Sequence, residues 1–313
     1  MGIETYRYEF RQMKVFMNFE RFQGVWGFVF SGALDTEPSS RLFKWVKENC
    51  FKRKYNYIVD LNNVNFCSST AIRLFTAFTK NYNEFVLFSK LAKNIERPFK
   101  LIGLDKFLTF YEDLVELPSK FNVSEELIKV MRTQVAETLS FALTRRSWLE
   151  ILGAYVPREK LMKEAQKLSP YLTEARHSKS LLLPAKYEYI PVVYVFLTRI
   201  FYDVAGFSKE EVGEDIIEFI AKELMSNAIR YGYDYRLDGY IEVSYEINQK
   251  FLMIDFIDWG KGIGKGAKKK DAIGLHLLKR IFDKIKIGKA PYKVPKGISL
   301  GPGTHIRLIK KRK

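Results

Sequence analysis

Glu223 and Asn227 stand four residues apart in AKELMSNAIRYGYD (221–234), beside the apolar residues Leu224, Met225, Ala228 and Ile229. On a helix that spacing places both side chains on one face, one turn apart. A glutamate so placed can act as a general base toward water or a hydroxyl, and an asparagine oxygen suits a hard cation such as Mg2+. A capped or solvated polar pair at the edge of an apolar face is the plainer alternative. Further on, FLMIDFID delivers Asp258 into DWGKGIGKG, so a carboxylate is followed by Gly260, Gly262 and Gly264. Such a carboxylate can accept from an exocyclic amine while bare backbone lies against a flat base. Gly274 in AIGLHL opens a helical stretch, and the free N–H groups of a helix start favour an anion. Between these motifs Lys261, Lys265, Lys268, Lys269 and Lys270 form a short basic loop. GPGTHIRL (301–308) closes the series, with Gly303 and Thr304 turning into a strand.

These residues need elements to hold them. In the last part of the chain, 178–313, KSLLLPA reads as a strand and EYIPVVYVFLTRIFYDVAG as a helix closed by Gly206. SKEEVGEDIIEFIAKELMSNAIRYG (208–232) reads as one long helix, with Ser208 and Glu211 as its capping box and Gly232 as its stop. GYIEVSYEI (239–247) and FLMIDFID (251–258) alternate as an antiparallel pair, GLHLLKRIFDKI (274–285) is helical, and THIRLIKK is a final strand. An antiparallel sheet with helices on one face is an α/β sandwich.

The first part, 1–117, alternates strands with helices. GVWGFVFSGAL (24–34), NYIVDL (56–61) and EFVLFSK (84–90) read as strands. SSRLFKWVKENCFKR (39–53) carries Leu42, Trp45, Val46 and Cys50 on one side of a helix, TAIRLFTAFTKNYN (70–83) is a second, and NIERPFKLIGLDKFLTFYEDL (94–114) holds a helix and a short strand. That alternation predicts a mostly parallel sheet with helical cover. The stretch between, 118–177, reads as a helical connector or dimerisation pair: FNVSEELIKVMRTQVAETLSFALT opens with Asn122 and Glu125 in capping-box spacing, and PREKLMKEAQKL is amphipathic.

Bulk properties narrow the classes. A 313-residue chain that is 47% hydrophobic supports real cores in two domains of ordinary size. Two cysteines, Cys50 and Cys67, make neither a disulfide framework nor a zinc pattern, which fits a reducing compartment. The opening MGIETYRYEFRQ has no apolar stretch, and IPVVYVFLTRIFYDVAG (190–206) is broken by Arg199 and Asp203. No signal peptide and no membrane span are expected, so the expected location is the cytoplasm. The net charge of +16 concentrates at the end, where 259–313 holds 17 Lys and Arg against two acidic residues. That excess is either a solvated surface or a seat for a polyanion, nucleotide or nucleic acid; a nucleic-acid role would show as steeply salt-dependent binding. The motifs favour the nucleotide.

Helix E-x-x-x-N, then D-x-G-x-G, then Gly at a helix start, then G-x-G-T into a strand is an ordered set. In it, 178–313 resembles the GHKL ATPase superfamily, whose Bergerat fold is shared by sensor histidine kinases, gyrase-type enzymes and anti-sigma serine kinases. GFSKEEVGEDI and ELMSNAIRYGYD look most like the anti-sigma kinases. Of the three histidines, His177, His276 and His305, only His177 precedes the domain, and TEARHSKS does not have the phospho-acceptor box of a sensor histidine kinase. The resemblance implies ATP and Mg2+ as cofactors. It makes Glu223 the catalytic base, Asn227 the Mg2+ ligand, and Asp258 the acceptor for the adenine amine. Gly260, Lys261, Gly262, Gly264, Lys265, Gly274, Leu275, Gly303 and Thr304 would complete the ATP pocket. Two departures stand out: the lid between the glycine motifs is short, and the arginine of the first helix has no match, Val192 falling near its place and Arg199 later.

YIVDLNNVNFCSSTAIRLF (57–75) in turn resembles the phosphorylation site of STAS domains, the anti-sigma factor antagonists, over about 14–117. The resemblance makes Ser68, or its neighbour Ser69, the phospho-acceptor at a helix start, where a dianion is tolerated and a partner interface can be broken. Serine as a plain helix cap is the alternative. Cys67 and Thr70 stand where the family usually has Asp and Gly. The resemblance thus implies a STAS-like α/β domain (1–117), a helical connector (118–177) and a GHKL serine kinase domain (178–313). The implied function is a bacterial partner-switching regulator that phosphorylates a STAS serine, its own or a partner's, to control anti-sigma and sigma factor signalling. STAS or sigma and anti-sigma proteins would be the partners, with a homodimer open, no nucleic acid and no membrane. The alternative is an ATP-gated interaction module without catalysis, though a pure binder needs no base at Glu223.

Overall fold

The computed structural model describes residues 2–10, 13–91, 93–101, 103–138, 152, 156, 160–262, 272–293 and 297–312. The chain divides into two compact units, Met1–Arg145 and Arg146–Lys313.

The first unit is built on a six-stranded sheet: β1 (Ile3–Phe10), β2 (Met13–Glu20), β3 (Val25–Leu34), β4 (Tyr55–Cys67), β5 (Tyr82–Ser89) and β6 (Thr109–Tyr111), in sequential order. The expected parallel set is present from β3 to β6. The mostly parallel prediction needs one correction, because β1, β2 and β3 form an antiparallel meander on one side. MKVFMNF in β2 is buried on both faces for its first six residues, so it lacks the alternation that announces a strand.

Helices α1 (Thr36–Asn49), α2 (Ser69–Phe78) and α3 (Lys93–Leu101) serve one face. There Phe75 meets Phe30 edge-on at 5.3 Å, and Phe78 meets Phe28 at 5.0 Å. Beyond a short turn of helix, α4 (Leu117–Lys120), the chain enters α5 (Glu125–Thr138). Its Leu127, Ile128 and Met131 pack with Phe16, Val25, Val29, Ile58 and Leu87 on the opposite face. The cap of α5 is Ser124, whose Oγ accepts from Leu127 N–H at 3.1 Å, two residues beyond the Asn122 read as the cap from the sequence.

The second unit holds an antiparallel sheet of order β10-β11-β9-β8-β7. Its strands are β7 (Ser180–Pro184), β8 (Tyr240–Ile247), β9 (Phe251–Asp258), β10 (Lys284–Gly288) and β11 (Thr304–Lys311). Ile241, Val243, Leu252, Ile254 and Leu308 form its buried face. Helices α6 (Leu161–His177), α7 (Ile190–Arg199) and α8 (Glu214–Asn227) stack in turn, α7 against both of the others, and α9 (Ala272–Ile281) follows the lysine loop.

The long helix expected over 208–232 is three pieces. Ser208 and Glu211 do make the capping box, with Ser208 N–H on Glu211 Oε2 at 3.0 Å and Glu211 N–H on Ser208 Oγ at 3.3 Å. They cap one isolated turn, and α8 starts afresh at Gly213 with Glu214 and Asp215 complementing its dipole. At the other end Ala228–Gly232 widens into a π-turn. Nor does the helix after Gly274 reach residue 285: it stops at Ile281, and Lys284–Gly288 is the edge strand β10.

Candidate functional site

The end of α8, the ends of β9 and β11, and the start of α9 converge in the second unit. Glu223 is buried in α8 although it carries a carboxylate, and Asn227 is half-buried beside it. Asn227 Nδ2 donates to Glu223 Oε1 at 3.1 Å, as the four-residue spacing predicts. That donation leaves the amide oxygen of Asn227 as the acceptor end of the pair. The carboxylate lies against the backbone of Gly274, where an added Cβ would fall 1.8 Å from Glu223 Oε1. Glycine at the first turn of α9 is therefore what admits Glu223 to its place.

Asp258 ends β9 almost wholly buried. Burial raises its carboxyl to about 6, while the N–H of Gly260 and the hydroxyl and N–H of Thr304 pull the other way. Gly260 N–H reaches Asp258 Oδ1 at 3.0 Å. Thr304 is the cross-strand partner of Asp258 in the β11–β9 register. Gly303 adopts a φ of 64°, and a Cβ there would strike Asp258 O at 2.3 Å. Gly303 N–H donates to Gly260 O at 3.1 Å, tying the two glycine turns together. The D-x-G and G-x-G-T motifs are thus one contiguous structure, with Gly262 at φ 74° packed on Pro302.

Some residues that hold this structure do so through close approaches that the sequence does not announce. Gly232 lies so close to Gly260 that a Cβ on the latter would fall 2.4 Å from Gly232 C and O, and Lys261 N–H donates to Gly232 O at 2.9 Å. Tyr233, fully buried, accepts Trp259 N–H at 2.9 Å and donates to Tyr240 O at 2.7 Å. It pins the strand-end loop to the end of the π-turn. Tyr231, one turn past Asn227, is an exposed aromatic with the Arg230 guanidinium 5.0 Å from its ring centroid. A flat base could stack on such a ring. Exposure of an aromatic beside a polar helix face is the signal that could have found it.

The remaining sequence candidates fall in three groups. Lys261 pairs its ammonium with Asp234. Gly264, Lys265, Lys268, Lys269 and Lys270 lie outside the described residues, as does the side chain of Leu275. Ser68 and Ser69 lie in the first unit, and both are buried. Ser68 caps α2, its Oγ accepting Ala71 N–H at 3.2 Å, so the capping alternative is realised in this state. Among the described residues no cluster of three or more His, Cys, Asp or Glu could hold a metal ion. None of their helices is long and apolar enough to cross a membrane.

ATP and Mg2+ can be judged against this geometry. A buried carboxylate at a strand end, glycines whose missing Cβ atoms leave backbone bare, and a carboxylate–amide pair at the end of α8 seated against the first turn of α9 suit a purine, a phosphate chain and one hard cation.

Known families match both units. Residues 183–310 match the histidine kinase-like ATPase domain, and residues 17–117 match the STAS domain. No curated protein matches the chain. Among solved structures, the Acinetobacter baumannii histidine kinase AdeS aligns over 71% of this chain and 96% of its own, at 13% identity and a TM-score of 0.24, a likeness too loose to carry an argument.

Proposed function

Because the chain carries a STAS domain followed by a histidine kinase-like ATPase domain, we propose that it is a partner-switching regulator that binds Mg-ATP and phosphorylates a STAS serine. The serine is its own or that of a partner in the sigma and anti-sigma class. One observation carries this reading: the buried Glu223 carboxylate, paired with Asn227 and seated against the bare backbone of Gly274 where α9 begins. A site that only held a nucleotide would not need a buried base there.

Each residue has a defined task. Asp258 takes a hydrogen bond from the amine of the base, and Tyr231 offers its ring face. Asn227 supplies an oxygen to the cation. The first turn of α9 offers backbone N–H groups to phosphate oxygens. Glu223 accepts the proton of the acceptor hydroxyl through a carboxylate oxygen. Bound Mg-ATP supplies the transferable phosphoryl group and the charge that stabilises its passage, while the protein's part is placement and electrostatics.

Titration calorimetry with Mg-ATP tests the pocket and phosphate incorporation tests the chemistry. Asp258→Asn should weaken binding at least tenfold, whereas Glu223→Gln should bind nucleotide normally and incorporate no phosphate. Normal binding by Asp258→Asn would sink the pocket assignment, and normal transfer by Glu223→Gln would sink the base.

A second reading is favoured by the burial of Ser68 and the engagement of its Oγ in the α2 cap. Under it, nucleotide binding gates docking to a partner and no phosphate moves. The same incorporation experiment separates the two.

A further inference from the structure

We propose that α5 is a releasable strap on the STAS unit that reads the state of the acceptor serine, a reading that rests on Ser68 being the modified residue. Helix α5 lies beyond the matched STAS stretch, which ends at residue 117. It is nevertheless bound into the unit, and its two halves are bound differently. The first half is held by apolar packing of Leu127, Ile128 and Met131. The second half carries polar pairs, with Val135 only partly buried against the core beside them. Gln134 and Asn18 exchange hydrogen bonds at 2.8 and 3.0 Å, and Asn63 Nδ2 donates to Val135 O at 2.7 Å and to Thr138 Oγ1 at 2.9 Å.

Polar pairs suit release better than apolar packing does. When a helix half lifts off, each amide exchanges its partner for water at a small net cost, about 1 kcal/mol per hydrogen bond. Lifting the apolar half would expose buried hydrocarbon, with no compensating bonds. The second half of α5 is therefore the end that opens first.

Strand β4 joins this end to the acceptor. Asn63 sits on β4 five residues before Ser68; the β4 pairing with β3 shifts register once between them, at Gly32/Ala33, and once just before Asn63, at Val29/Ser31. Such bulged segments bend and re-aim side chains more readily than a regular ladder. At the far end of the segment, Ser68 N–H donates to Leu34 O at 2.9 Å while its Oγ caps α2. A phosphate on that Oγ removes the cap and adds charge of about −1.5 to −2 at a buried strand end. The bulged segment must then move, and Asn63, which holds α5, moves with it. The strap precedes the ATPase unit in the chain.

Hydrogen exchange of the full chain, read by mass spectrometry, tests this without any kinase activity. Ser68→Glu should speed exchange at 132–138 roughly tenfold, the scale of one or two lost hydrogen bonds. Exchange at 126–131 should stay within about twofold, because the apolar half is held by packing. Should that variant not fold, Asn63→Ala must produce the same pattern with Ser68 intact. If Ser68→Glu deprotects 69–72 but leaves 132–138 unchanged, the coupling is wrong. A uniform rise along α5 and the sheet also overturns it, since the helix would then open only with the whole unit. Failure to find phosphate on Ser68 after Mg-ATP treatment would remove self-phosphorylation but not the exchange result, so the two failures are distinguishable.

Discussion

At the scale of single residues, the two carboxylates of the candidate site sit in different environments. Glu223 is paired with an amide, and Glu223→Gln should cut phosphotransfer by about 10²-fold or more, the usual scale for a lost base. Burial raises the Asp258 carboxyl to about 6 from the ordinary 3.8. Because the folded value lies above the unfolded one, the folded chain binds more protons in that window. Stability therefore falls as pH rises from 3.8 to about 6. Nucleotide binding should run the other way, since the ionised carboxylate is the better acceptor. Affinity at pH 5 should be about tenfold below that at pH 7.5, and Asp258→Asn should bind weakly with no such slope. A flat pH profile in the wild type would remove Asp258 from the site. Gly260→Ala should cost about 1–3 kcal/mol or more and abolish binding, because the new methyl meets the Gly232 backbone, which cannot rotate away. Thermal unfolding and calorimetry of that variant check both parts. These carboxylates were legible in the sequence because spacing alone puts Glu223 beside Asn227 and Asp258 at a strand end. Gly232 and Tyr233 were not, because their role depends on a close approach between segments far apart in the chain.

At the scale of elements, α5 is the part whose role sequence reading left open. Its cap spacing marks it as a helix in the sequence, and nothing local says which sheet face receives its Leu127, Ile128 and Met131. Gly27 of β3 is the receiving position, where a Cβ would fall 2.5 Å from Met131 Sδ. Met131→Ala should destabilise the unit by about 2–5 kcal/mol, and Gly27→Ala by about 1–3 kcal/mol. The double variant should lose less than the sum, because the new methyl refills the space that Met131 leaves. Denaturant unfolding of the three variants measures that coupling, and strict additivity would mean that the contact is not made. Two other elements show why boundaries were less legible than element types. The Ser208–Glu211 box is a true helix-start signal that here closes a single turn before Gly213 restarts the helix. Ile281, Phe282 and Ile285 keep helical spacing, which hides the turn between α9 and β10.

At the scale of the whole molecule, the first unit extends past the STAS family boundary to include α5. A fragment ending at residue 120 should expose the face formed by Phe16, Val29, Ile58 and Leu87, bind an apolar dye and aggregate, whereas one ending at residue 145 should not. Equal behaviour of the two fragments, by light scattering and dye fluorescence, would deny α5 its covering role. The fusion of a STAS domain with a histidine kinase-like ATPase domain puts a candidate nucleotide site and a candidate acceptor in one chain. The most direct test of the account is the intact mass of the full chain after incubation with Mg2+ and ATP, with the modified peptide sequenced. The account predicts one added phosphate, on Ser68 or Ser69, and none in Glu223→Gln. An unchanged mass, with nucleotide binding still measurable by calorimetry, would contradict self-phosphorylation and leave phosphorylation of a partner's STAS serine or nucleotide-gated docking.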